Sequence, residues 1–167
     1  NSMTFNSPVT LTGNPTLTDA GDVIFNDTVN SDGTARALTI SNDTGNINFA
    51  ANVGSGNALG ALALNSTGIT TIAGTINAAS ISTNAGGSTV INGGAITTSG
   101  IQSYGDAITL GAGTTFTTTN NAVTFGSTIN GAQSLAVAAG NAAVNFNGAV
   151  GLTTALTSLT STGSGTV

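Results

Sequence analysis

The 167-residue sequence contains no cysteine, histidine, lysine, glutamate or tryptophan, and its charged side chains are six Asp and the single Arg36. Groups that titrate or attack near neutral pH are therefore missing, which disfavours most enzyme mechanisms. Zinc, haem and iron–sulfur centres lose their ligands, leaving only a hard, oxygen-ligated cation such as calcium. A net charge of −5 with one Arg cannot neutralise a run of phosphates. Counterion-release binding of nucleic acid is excluded on that ground, and an anionic membrane surface is equally unsuited. No catalytic residue, cofactor or metal site is expected.

Low charge can also mean disorder or a membrane protein. Disorder requires low hydrophobicity, whereas this chain is 39% hydrophobic with two prolines. The longest mainly apolar run, Ala58 to Leu64, is far shorter than the ~20 residues of a membrane helix. Six Phe, one Tyr and no Trp do not supply the aromatic girdles of an outer-membrane barrel, so membrane insertion is not expected. No basic region followed by an apolar stretch opens the chain, so no signal peptide is expected, and the sequence reads as a segment of something longer.

What the chain has is 31 Thr, 24 Gly and 20 Asn, arranged in a repeat. An aromatic or aliphatic residue, three mostly small or polar residues and an aliphatic one recur as Phe25–Val29, Phe49–Val53, Ile72–Ile76, Tyr104–Ile108, Phe125–Ile129 and Phe146–Val150. The copies follow one another at near-constant spacing except between Ile72 and Tyr104, where a variant copy at Ile91–Ile96 divides the longer gap unequally. Between the copies run segments apolar at alternate positions: Ala37–Ile40, Ala61–Leu64, Ser80–Ser82, Ser134–Val137 and Ala155–Leu159. Alternation rich in Thr, Val and Ile predicts strands with one buried face. Turns are read at Asp32–Gly33, Asn92–Gly93, Asn130–Gly131, Asn147–Gly148, and the GSG triplets at Gly54 and Gly163. Gly or Asn interrupts every window long enough for three helical turns.

A unit of about 20 residues cannot bury its own apolar face, and stacking its copies solves that problem. The pattern predicts an all-β fold, a parallel β-helix of about eight coils spanning 1–167 as one segment, with 1–45 less regular and more acidic and 46–167 regularly repeated. Outward Thr and Asn would pair with like residues one coil above, whereas stacked like charges would repel. The alternative is a β-sandwich of short strands.

The segments Ile91–Gly140 and Phe146–Gly165 resemble the repeat regions of filamentous-haemagglutinin-like adhesins and related β-strand-repeat exoproteins of bacterial surfaces. That resemblance covers almost the whole chain and implies a right-handed parallel β-helix, secreted as part of a long extracellular fibre, with no catalytic residues. No N-terminal secretion domain of that family is recognisable.

Several residues invite a sharper reading. Asp19, Asp22, Asp27, Asp32 and Asp43 cluster near Arg36 and could in principle do glycoside chemistry or hold calcium. The glycine-rich calcium nonapeptide is missing, however. Asp32 precedes Gly33 in a turn, and Asp27 and Asp106 take matching positions in the repeat, so structural roles are expected. The Thr-x-Thr triplets at Thr16 and Thr115–Thr119 do not recur once per coil, which argues against an ice-binding face. Asn26, Asn42 and Asn65 open Asn-x-Ser/Thr triplets, a chance outcome in so Asn- and Thr-rich a chain.

Two functions are expected from this reading. The first is a non-catalytic, rigid stalk or filament of a bacterial surface adhesin, partnered by neighbouring copies or further repeats through coil-to-coil stacking. The second is a carbohydrate-binding module, with Gln102 or Gln133 hydrogen-bonding and Tyr104 stacking on a cell-surface glycan.

Overall fold

A computed structural model describes residues 2–163, which form strands, turns and bends with no helix among them. One sheet has seven strands, Met3–Phe5, Val23–Phe25, Ile47–Phe49, Ile69–Ile72, Ser88–Ile91, Ala107–Leu110 and Ile129–Asn130, stacked in chain order. Within it Met3, Val23, Ile47, Thr70, Thr89, Ile108 and Ile129 form one column, and a bridge to Val150 opens an eighth rung. The chain thus returns to this column once per coil, with the longest steps in the N-terminal half, from Val23 through Ile47 to Thr70.

Each rung then crosses to a second, 11-stranded sheet. Its near flank, reached first, is built from strands such as Ala95–Thr98, Thr114–Thr118 and Ser134–Gly140; its far flank holds Leu38–Asn42, Gln102–Tyr104, Val123–Phe125 and Val144–Phe146. Ile76–Thr83 is long enough to serve both flanks, pairing with Ala95–Thr98 and with Gln102–Tyr104. In the first two rungs the near flank is the pair Val9–Leu11 and Val29–Ser31, carried upward by single bridges through Val53 to Ile76. Every strand pairing among the described residues is parallel, which excludes the sandwich: the protein is a β-solenoid of about eight coils.

The recurring five-residue pattern is a corner, with two inward apolar residues flanking three that turn the chain. Its copies do not form one ladder. Phe5, Phe25, Phe49, Ile72, Ile91 and Leu110 share a column in the first sheet, and the copies starting at Phe25, Phe49, Ile72 and Ile91 turn from there into the near flank. Tyr104, Phe125 and Phe146 lie on the far flank, and their copies turn into the first sheet of the next rung. The long gap between the copies at Ile72 and Tyr104 is thus one full rung, from Ile72 to Ile91, plus the passage from one corner to another.

All seven aromatic side chains point inward, with only the terminal Phe5 and Phe146 part-exposed. Phe5, Phe25 and Phe49 stack with centroids 4.7 and 5.1 Å apart; Tyr104, Phe125 and Phe146 stack at 5.5 and 5.1 Å, and Phe116 meets Tyr104 and Phe125 edge-on. Each such pair adds about 0.5–1.5 kcal/mol to what burial contributes.

Asparagine does something other than pair with itself. Asn26 donates Nδ2 to Asn6 Oδ1 at 2.7 Å, a like-on-like contact between rungs. The commoner device is a side-chain oxygen at a corner accepting a backbone N–H from the next rung: Asp22 from Asn46 (2.7 Å), Asn46 from Ile69 (2.9 Å), Asn52 from Thr75 (2.8 Å), Asn30 from Gly56 (2.8 Å) and Asn130 from Thr153 (2.9 Å). Corner N–H groups have no ladder partner, and a short Asx side chain reaches them without leaving its own turn.

The strand read at Ala155–Leu159 begins instead at Ser158 and runs to Gly163. Gly151, at φ 72°, starts a turn whose N–H groups at Thr153 and Thr154 bond to Asn130 Oδ1, and Leu156 packs on the core from that turn. The triplet at Gly163 continues into residues 164–167, outside the described residues.

Candidate functional site

The N-terminal carboxylates are largely occupied by local structure. Asp32 takes Arg36 in a bidentate pair, Nε at 2.9 Å and Nη2 at 2.8 Å, and accepts the Thr34 N–H at 3.1 Å. The Arg36 bond is the main cause holding its carboxyl below the usual value. The pair is exposed and contributes little stability, but it engages the chain's only cation. Asp27 Oδ1 accepts the N–H of Thr28, inside its own corner, at 2.7 Å. Among the described residues no three acids gather around a common point.

Asp106 is different. It shares its place in the corner pattern with Asp27 but turns from the far flank into the first sheet, and it is buried. Oδ1 accepts the Gly87 N–H at 3.0 Å and Oδ2 the Thr89 hydroxyl at 3.1 Å. Burial outweighs both bonds and raises its carboxyl above the ordinary 3.8. A raised carboxyl contributes stability that is full below the unfolded value and is lost as pH rises through the folded one. Thermal unfolding followed from pH 3 to pH 9 should therefore contain a contribution from Asp106 that is largest at the acid end and is lost as pH rises, opposite in sign to that of Asp32. Asp106→Asn should remove that contribution; a wild-type melting temperature with the same pH profile as Asp106→Asn would contradict the assignment.

Tyr104 and Gln102 are not surface groups. Both are 1% exposed, and Gln102 sits in the apolar column of Leu38, Leu62, Ile81, Val123 and Val144. Its Nε2 donates to the Thr117 carbonyl at 2.9 Å and to the Ile96 carbonyl and Thr98 Oγ1 at 3.2 Å, while Oε1 accepts the Tyr104 hydroxyl at 3.0 Å. Burial pushes the Tyr104 phenol well above its usual value. The proposed sugar platform is thus a closed core network, and Gln133, half-buried, lies outside it.

An open groove lies elsewhere, along the corner where the far flank turns toward the first sheet. It measures 480 Å3 and spans four rungs, from Thr18 and Asp19 past Ser41 and Asp43 to Asn65 and Asn84. Thr18, Ser41 and Asn65 occupy one outward column in strict register. Among the described residues no hydrogen bond engages the side chains of Thr18, Ser41, Asp43 or Asn65. Asp19 Oδ1 accepts the Ala20 and Gly21 N–H groups at 2.7 and 3.2 Å, and Asn84 Oδ1 the Ser66 N–H at 2.9 Å. No family model, curated protein or solved structure matches this chain. Its site must be read from these groups alone. Sequence reasoning singled out Asp19 and Asp43 but not Ser41 or the amide of Asn84, because only the fold brings these segments together.

The remaining candidates are structural. Outward Thr115 and Thr117 are flanked by Ala95 and Thr97 on one rung and by Ala136 and Ala138 on the other, so the triplet does not extend into a threonine face. Of the three Asn-x-Ser/Thr triplets, Asn26 is exposed, Asn65 half-buried and Asn42 buried.

Proposed function

We propose that this chain is a non-catalytic structural segment of a secreted bacterial surface adhesin or extracellular fibre, acting as a rigid stalk that further repeats or neighbouring copies extend. The observation that carries this reading is where the chemistry goes: inward residues fill the ladders, and corner Asn and Asp clip one rung to the next. Coil-to-coil pairing runs through the described rungs in parallel, and a parallel strand edge is a template on which a further coil can pair. The surface charge agrees, since beyond Asp43 the only charged side chain is the buried Asp106. The resemblance of the repeats to adhesin repeat regions supplies the extracellular setting. Immunogold labelling of intact source cells with antibody to the purified chain should decorate fibres outside the cell envelope. Gold confined to the cytoplasm would end this reading.

A further inference from the structure

The corner groove carries a second role that the stacking does not explain. We infer that it is a binding site for a linear, uncharged glycan lying along the solenoid axis. The lining side chains, Ala20 apart, carry hydroxyl, amide or carboxylate groups among their methyl and methylene surface, with no aromatic platform, so hydrogen bonds rather than ring stacking would orient a ligand. The unengaged side chains of Thr18, Ser41 and Asn65 rise in register, one per rung, at the ~4.8 Å spacing of paired strands. A ligand that presents hydroxyls repeatedly along a line matches that array, whereas a compact solute would meet only one level. Asp19 and Asp43 lie beside the column, and Arg36, the only cation, is bound to Asp32, so anionic polymers are repelled while sugar hydroxyls find strong acceptors. Finally, the groups sit on strands and corners held by rung-to-rung bonds, such as Thr67 N–H to the Asp43 carbonyl at 2.9 Å, so little order has to be imposed on binding.

A cation fits the same groove less well. Asp19 has already committed one oxygen to two backbone N–H groups, and no third acid is within reach among the described residues. The inference extends the surface reading by naming what the segment holds. Its test uses the purified chain, so its failure is separate from that of the cell labelling.

The experiment is a titration of the isotope-labelled chain with cellohexaose, mannohexaose and, as the acidic counterpart, hexagalacturonate, followed by backbone amide shifts. At least one neutral hexamer should give saturable shifts confined to the groove, at 18–20, 41–43, 65–67 and 84, and hexagalacturonate should give none. Ser41→Ala and Asn65→Ala should each weaken that binding by about five-fold, the loss of one hydrogen bond, with unchanged melting temperature. Thr117→Ala, on the near flank, should leave it unaltered. The proposal is overturned if neither neutral hexamer shifts these amides, if hexagalacturonate binds as well, if the two groove variants bind like wild type, or if calcium chloride alone reproduces the shifts.

Discussion

Phe125→Asp should abolish the cooperative unfolding transition of the C-terminal rungs. The ring is 1% exposed, stacked between Tyr104 at 5.5 Å and Phe146 at 5.1 Å, with Phe116 edge-on at 5.1 Å. Truncating a buried Phe to Ala costs about 3–5 kcal/mol through lost transfer energy and the cavity left behind. An aspartate adds a charge with no cation to meet it, because the only Arg lies in another rung and is engaged by Asp32. Whole domains are stable by only about 5–15 kcal/mol, so this one change removes a large part of the total. A solenoid concentrates the damage, since each rung contacts only its neighbours. Hydrogen exchange should lose protection around Tyr104, Phe125 and Phe146 while the Phe5–Phe25–Phe49 stack stays protected. Thr124→Asp, one residue away on the outward face, should unfold like wild type. If Phe125→Asp melts like wild type as well, the far-flank ladder is misplaced.

How far such placements were legible in the sequence depends on the distance over which the deciding information acts. Alternation and a near-constant spacing between copies are local signals, and they were enough for parallel stacking and for inward Phe25, Phe49 and Phe125. Which corner a copy occupies is not local. Phe49–Val53 and Phe125–Ile129 read alike, yet the first leaves the first sheet and the second enters it. Residue counts accumulated over several rungs settle that difference. Gln102 and Tyr104 read as surface groups when polarity is equated with exposure, yet both are buried. Aligning Gln102 with Val123 and Tyr104 with Phe125, their partners one rung on, places both inward. The groove was illegible for the same reason, since Thr18, Ser41 and Asn65 come from separate coils and become one column only through register. The role of Asn was partly legible: composition pointed to ladders, but a corner N–H is a backbone vacancy that only the turn geometry reveals.

Three glycines separate the two costs that register imposes on a backbone, and Gly54→Val should be the most destabilising of them. Gly54 has φ 72°, in the left-handed region where a side chain costs roughly 1–2 kcal/mol. It is also pinned between rungs: its N–H donates to the Val29 carbonyl at 2.7 Å below, and the Asn77 N–H donates to the Val53 carbonyl at 2.9 Å above. A Cβ there would overlap the Asn77 carbonyl oxygen and meet the Ala58 backbone at 3.2 Å. Relieving that overlap means prising two rungs apart, and forced displacements of packed groups cost about 1–3 kcal/mol. The two costs together come to roughly 3 kcal/mol, which should appear as a lowered urea midpoint. Gly33, at φ 104° with nothing within 4 Å of its would-be Cβ, isolates the backbone term, so Gly33→Val should cost only about 1–2 kcal/mol. Gly13 has open space and no left-handed φ, and Gly13→Val should be nearly neutral. Equal losses at Gly33 and Gly54 would mean that the contact between the third and fourth rungs is looser than the paired Val53 and Ile76 require.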